Sequence, residues 1–408
     1  MSTEQSPAPL RGIKVIDFTR HMAGPYATVF LADYGADVIK VEPLPDGDAS
    51  RMTGELIGGK VSASYLMWNR GKRSVALDMR NPESLSIIHR LVKDADVLVE
   101  NFKPGVADKI GIGYDDLSVL NPRLIYVSIS AFGTGSLAEY PGTDPVVQAM
   151  SGVMSVTGER NGPPILVGVP IADFTAAMAG AQAVMLGLLA RTQTGRGQRI
   201  DVSMLHVMMT ALTTRLATYW ATGQEPVRNG GAHTVVMPYQ VWQTTDGHIV
   251  AGVWNGGNVM WPRFCEAVEL PELAEKTQYA TNADRLVHRA ELAGILQAQF
   301  ITKATAYWEE RFRSRKVLFS RVYDFPELLS HPAVKEAGIV SGVPHPLLGM
   351  SPQLTPPILM SDTPGGLGRH PPLLGEHTRE ILREAGFDSA DVDRLIAAKI
   401  AAEPRGVS

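Results

Sequence analysis

Short apolar runs alternate with longer amphipathic segments through the first half of the chain. Residues 13–18, 37–42, 74–78, 96–100 and 123–130 are Val/Ile/Leu-rich stretches of strand length, while 25–34 and 82–94 carry helical spacing with Pro in the first turn. Further helical turns run from 104 to 120. Strand and helix in alternation predict an α/β fold, a mostly parallel sheet with helices on both faces. Next come an Ala/Met/Leu helix over about 175–190, a turn at Thr194-Gly195-Arg196-Gly197-Gln198, a strand at 199–203 and a long helix over about 205–222. Met204, Met208 and Met209 stand at helical spacing and read as core or interface filling. Between 226 and 238 the composition shifts to Gly, Asn and Pro, which marks a boundary. Beyond it, 239–245 and 248–254 flank Asp246-Gly247, a hairpin signal, and helices follow near 259–268, 284–302 and 304–315. The expected organisation is a large α/β domain over 1–224, a small α+β domain over 225–325 and a Pro/Gly-rich part over 326–408.

Composition narrows the function. A chain of 408 residues, 45% hydrophobic and 20% charged, with net charge −4, has no electrostatic footprint for nucleic acid. Its one cysteine, Cys265, rules out an internal disulfide, fits a reducing compartment and reads as a small apolar packer. Residues 1–9 lack an apolar signal core, and the longest apolar run, 179–190, is shorter than a bilayer span, so the expectation is a cytoplasmic protein without a membrane partner. The turn after the first strand, Thr19-Arg20-His21-Met22-Ala23-Gly24-Pro25, has no dinucleotide fingerprint, and no phosphate-binding loop occurs elsewhere. His206, His233, His248 and His345 show no ligand spacing, so no metal is expected.

The candidate chemistry centres on 162–174, an apolar segment whose single ionisable side chain is Asp173, leading into a helix that opens on small residues. One reading makes Asp173 the N-cap of that helix. The other makes it a nucleophilic or general-base carboxylate, held ionised by the positive end of the helix dipole and approached closely by a ligand. No Lys or Arg lies within ten residues on either side, and Ala176 is not the acidic partner of a capping box. Arg20 and His21 follow one strand end, and Glu100-Asn101-Phe102 ends another, where ligands bind in open α/β sheets. Asn69, Lys72, Arg73 and Arg80 form a basic stretch that either meets phosphates or lies solvated.

Taken in order, several segments resemble the class III CoA-transferase family, also called CaiB/BaiF. They are Leu10-Arg11-Gly12-Ile13, Asp17-Phe18-Thr19, Ala23-Gly24-Pro25, Gly35 to Glu42, Asn69 to Ser74, Val99-Glu100-Asn101-Phe102, Ser151-Gly152, Asp173, Thr194 to Gln198 and Leu374-Gly375-Glu376-His377-Thr378. The resemblance implies an intertwined homodimer in which the N- and C-terminal parts of each chain build a large Rossmann-like domain and the middle builds the small one. It implies that Asp173 attacks an acyl-CoA thioester, giving an aspartyl anhydride and then an aspartyl-CoA, with CoA as substrate and no resident cofactor. His21 and Met22 would flank the thioester, and Leu77, Arg80, Asn101, Phe102, Val106 and Lys109 would hold the nucleotide and pantetheine. Asn255-Gly256-Gly257-Asn258 takes the place of the family's glycine loop, with fewer consecutive glycines than oxalate-type members; Gly256 and Gly257 are expected at the substrate. Met22 replaces the Gln of a formyl-CoA transferase, and Pro43 replaces a basic residue. A 2-methylacyl-CoA racemase of the same fold would need a His where Thr143 stands and a small-domain glutamate absent between Val250 and Met260. A non-catalytic acyl-CoA-binding relative would not need Asp173. The segment from Ala232 to Gln240 is similar to succinyl-CoA-dependent enzymes acting on dicarboxylates, for which Arg20 would pair with a second carboxyl group.

Overall fold

The computed structural model describes residues 8–254 and 257–404. β1 (Lys14–Asp17), α1 (Ala23–Asp33), β2 (Asp37–Pro43), β3 (Arg73–Leu77), α2 (Pro82–Lys93), β4 (Val97–Glu100) and β5 (Ile125–Ser130) follow the alternation expected. α3 (Asp144–Ser151), α4 (Ile171–Thr194), β6 (Arg199–Ser203) and α5 (Met204–Ala211) continue it. Six strands run parallel in the order β3-β2-β1-β4-β5-β6, and a short β7 (Ala401–Ala402) pairs antiparallel with β3 at the edge.

The strands are apolar on both faces because both faces are covered. Ile16, Ile39, Leu98 and Tyr126 point into one core with α2 and the C-terminal helices Thr378–Glu384 and Ser389–Ala397, while Val15, Val38, Val97 and Val127 point into the other with α1 and α4. Each such side chain taken from water stabilises the fold by about 1.5–3 kcal/mol. The Leu374-Gly375-Glu376-His377-Thr378 turn fastens the C-terminal part to β3: Gly375 N donates to Ser74 Oγ at 3.0 Å, and Thr378 Oγ1 donates to the Ala402 carbonyl at 2.7 Å. Gly375 has φ +70°, and a side chain there would collide with that same carbonyl.

Three expectations change. First, α4 spans 24 residues, from Ile171 to Thr194, rather than about 175–190, and by length and composition alone it is long and apolar enough to cross a membrane. Two of its glycines serve packing: a Cβ on Gly180 would lie 2.7 Å from Ile129 Cδ1, and one on Gly187 2.7 Å from Ile125 Cγ2, so the helix backbone approaches β5 at both. Second, most of the basic stretch is buried rather than solvated. Lys72 is fully buried against Asp17 at 2.9 Å, Arg73 pairs with Asp37, Glu380 and Glu384, and Arg80 alone of the group is largely exposed. Third, the helix expected over 205–222 breaks at Leu212 into α5 and Thr213–Thr222.

Two compact units result. Of the described residues, the larger takes in those up to Val153, Leu166–Ala221 and those from Ala333 on; the smaller is Met154–Ile165 with Thr222–Pro332. Residues 154–165, placed in the large domain by sequence, therefore cluster with the smaller unit, where Arg228 donates to the Gly162 carbonyl at 2.9 Å. That unit has a three-stranded antiparallel sheet of Tyr239–Gln243, His248–Gly252 and Leu318–Arg321 over a core of Trp242, Trp261, Phe264, Phe300, Trp308 and Phe312. Cys265 is buried there, and burial pushes its thiol up to about 12, as befits a packing residue.

Candidate active site

Strand order reverses between β1 and β4, so the loops leaving their carboxyl ends diverge and open a crevice. A cavity of about 330 Å³ occupies it. Its walls come from His21 after β1, Asn101 to Pro104 after β4, Ser130 to Phe132 after β5, Asp144 at the start of α3 and Asp173 in the first turn of α4.

Asp173 is not the N-cap of its helix. Pro170 holds that position without a side-chain cap, and Asp173 is the third helical residue. The orphan amides are served from a neighbouring helix: Asp144 Oδ1 accepts from Ala172 N at 2.7 Å and Asp173 N at 3.2 Å. Asp144 Oδ2 accepts from Gln148 Nε2 at 2.6 Å, and Gln148 Oε1 accepts from Val167 N at 2.9 Å. Among the described residues the Asp173 carboxylate accepts no hydrogen bond. Burial, and then the charge of Asp144, push its carboxyl up to about 6. The helix dipole expected to hold it ionised is worth about 0.3–1 kcal/mol. The opposing shift from 3.8 to about 6 corresponds to about 3 kcal/mol, so desolvation and the like charge win.

The turn carrying His21 is gripped from two sides. Asn101 Oδ1 accepts from Arg20 N and Asn101 Nδ2 donates to Arg20 O, both at 2.8 Å, while His21 N donates to Asp48 Oδ1 at 3.1 Å. His21 needs that grip, because its φ of 62° is one that side chains other than glycine rarely adopt. Below it lies a buried ionic network. Lys40 meets Asp48 at 2.9 Å and the Thr19 carbonyl at 2.7 Å, and Lys72 meets Asp17, the Pro25 carbonyl and Asn69 Oδ1, each at 2.9 Å. Burial opposes every one of these charges, yet the facing lysines hold Asp17 and Asp48 below the usual carboxylate range; burial pushes Lys72 down to about 8.

Of the residues expected at the site, His21, Asn101, Phe102 and Asp173 come together in one cavity. Met22 is buried just before α1, and Leu77 is buried at the end of β3. Arg80 lies beside Asp78, and Val106 and Lys109 bound a short helix; none of these five forms the cavity wall. Arg20 stands over the Phe102 ring, 5.2 Å from its centroid, instead of lining the cavity. Gly256 lies outside the described residues, and Gly257 opens the Gly257–Ala267 helix of the smaller unit. Sequence reasoning missed Asp144, Gln148 and Lys103. The signal for the first two was Asp144-Pro145 with Gln148 one turn on, a helix start whose carboxylate and amide share a face. Among the described residues no group of three or more His, Cys, Asp or Glu could hold a metal ion.

Residues 10–378 match the CoA-transferase family III. The chain belongs to this family. Its relatives include the human succinyl-CoA:glutarate CoA-transferase, 36% identical over 394 residues, 96% of this chain and 90% of that protein. The succinate–glutarate CoA-transferase of Agrobacterium fabrum is 38% identical over 388 residues, 92% of this chain and 95% of that protein. Among solved structures, a CAIB/BAIF family protein from Brucella suis superposes with a TM-score of 0.84 at 34% identity, covering 93% of this chain and all of that one. This CoA-transferase is thus an enzyme whose parallel-sheet architecture is that of its family.

Proposed function

We propose that this CoA-transferase moves CoA from succinyl-CoA to a short dicarboxylate or hydroxy acid, with Asp173 as covalent nucleophile. The observation that carries the reading is a carboxylate in the cavity without hydrogen-bond partners among the described residues, raised to about 6 and still largely ionised near neutral pH. An Asp173 oxygen attacks the thioester carbonyl, the C–S bond breaks, and CoA thiolate leaves a mixed anhydride. Thiolate then attacks the Asp173 carbonyl and expels succinate, leaving aspartyl-CoA. The acceptor carboxylate attacks that carbonyl and releases thiolate, which takes the acceptor acyl group and restores Asp173. No proton is gained or lost overall, and the free energy of the thioester is kept.

His21 and Met22 flank the thioester in this reading, and Arg80, Asn101, Phe102, Val106 and Lys109 hold the rest of CoA; Leu77, fully buried in the core, is not among them. The name of one transferase relative pairs succinyl-CoA with glutarate, and that of the other pairs succinate with glutarate. Lys103, a cation on the cavity wall, meets the distal carboxylate in place of Arg20. α4 leaves Phe174, Met185, Leu186 and Leu189 exposed, and Trp220 is 74% exposed; a second copy of the chain covers these in an interlocked homodimer, so that dissociation and unfolding coincide. The test of function is mass spectrometry of CoA products after mixing succinyl-CoA with mono-, di- and hydroxy acids. New thioesters of short dicarboxylic or hydroxy acids are expected. Preference for aromatic or long-chain acids would overturn the substrate assignment.

A further inference from the structure

We infer that Asp144 is a positioning residue for the transfer: by capping α4 from a neighbouring helix it leaves the Asp173 carboxylate unbonded in the cavity, beside a second negative charge. The inference rests on the reading of Asp173 as nucleophile. A carboxylate in the first turn of a helix ordinarily satisfies amides of that turn, which lowers its basicity. Here the amides of Ala172 and Asp173 are already engaged by Asp144, which is 8% exposed. Gln148 fixes the other Asp144 oxygen and reaches Val167 N, so one chain of hydrogen bonds ties the start of α3, the segment before α4 and the first turn of α4. Asp144 and Asp173 share the cavity wall.

The surrounding elements bring few other charges. His21, Lys103 and Tyr140 stand on the cavity walls, Tyr26 of α1 packs its ring 5.9 Å from that of Phe174, and His206 of α5 is exposed. On β6, Arg199 and Asp201 alternate with Ile200 and Val202, the pair that packs on the α4 side. Asp144 is the charge that acts on Asp173, in the same direction as burial.

The hydrogen-bond pattern defines the test. Asp144→Asn alone sets an amide donor against the Gln148 donor. The paired change Asp144→Asn with Gln148→Glu reverses that bond instead: the introduced amide donates to the introduced carboxylate, which still accepts from Val167 N. The charge thereby moves one helical turn from its original position while the contacts persist. In the native enzyme the acid limb of kcat/KM for succinyl-CoA is expected near pH 6. In the paired variant it should fall by about one pH unit, with hydroxylamine still trapping Asp173. A slower variant whose limb does not move would make Asp144 merely structural and overturn the inference. Trapping elsewhere in the native enzyme would overturn the underlying reading instead. Infrared titration of the native protein against Asp173→Asn needs no change at Asp144: a midpoint near 6 supports the inference, and one in the ordinary aspartate range overturns it.

Discussion

The carboxylates on the two sides of the crevice are treated in opposite ways. Beneath the β1–α1 turn, Asp17 and Asp48 are as buried as side chains become, yet each faces a lysine ammonium within 2.9 Å, and Asp17 also accepts from Thr19 and Thr28. At the start of α4, Asp173 is less buried but has no partner among the described residues and a like charge nearby. Burial raises all three; facing lysines and hydrogen bonds bring Asp17 and Asp48 back down, whereas Asp173 has neither among the described residues and the charge of Asp144 raises it further. Paired carboxylates below the turn hold shape; the unpaired one is available for chemistry.

The sharpest break of this contrast is at Asp173. Asp173→Ala should remove transfer activity entirely, while circular dichroism and oligomeric state match the native protein, because no hydrogen bond among the described residues depends on the side chain. Next in size is Lys72→Met, which strands Asp17 in the core; loss of about 3–5 kcal/mol in denaturant unfolding is expected. A loss below about 1 kcal/mol would show that the network is not what holds the turn.

Asp173→Asn should act in the opposite direction. A carboxyl whose folded pKa lies near 6, above 3.8 in the unfolded chain, weakens the fold wherever it is ionised. The variant should therefore be more stable than the native protein by about 1–3 kcal/mol at pH 8. That gain should shrink as the pH falls through 6 and vanish below about 4. Smallest of all is Arg80→Ala. Its Asp78 contact is 3.5 Å long and the side chain is 85% exposed, so unfolding should shift by less than about 0.5 kcal/mol. A raised KM for acyl-CoA would then report CoA contact without any confounding loss of fold.

Periodicity made the sheet legible, because strands buried on both faces announce themselves as apolar runs such as Val97-Leu98-Val99. It could not show β7, two residues held in place by the turn at Gly375, nor the 340–345 and 349–354 hairpin, most of whose residues are exposed and carry no core pattern. At the site, Asp173 stood out as a lone carboxylate in an apolar segment. Its partner Asp144 did not, since 29 residues separate two groups that meet only through packing of α3 against α4. Lys72 misled for a related reason: a run of basic residues looks solvated until the acids that neutralise it, Asp17 and Asp37, arrive from other strands.

The central claim is that Asp173 forms the covalent intermediate, and trapping tests it most directly. Native enzyme turning over succinyl-CoA is quenched with hydroxylamine or borohydride, digested and mapped by mass spectrometry. Modification at Asp173, dependent on acyl-CoA and absent from Asp173→Ala, is the predicted result. Modification at another residue, or transfer that persists in Asp173→Ala, would contradict it.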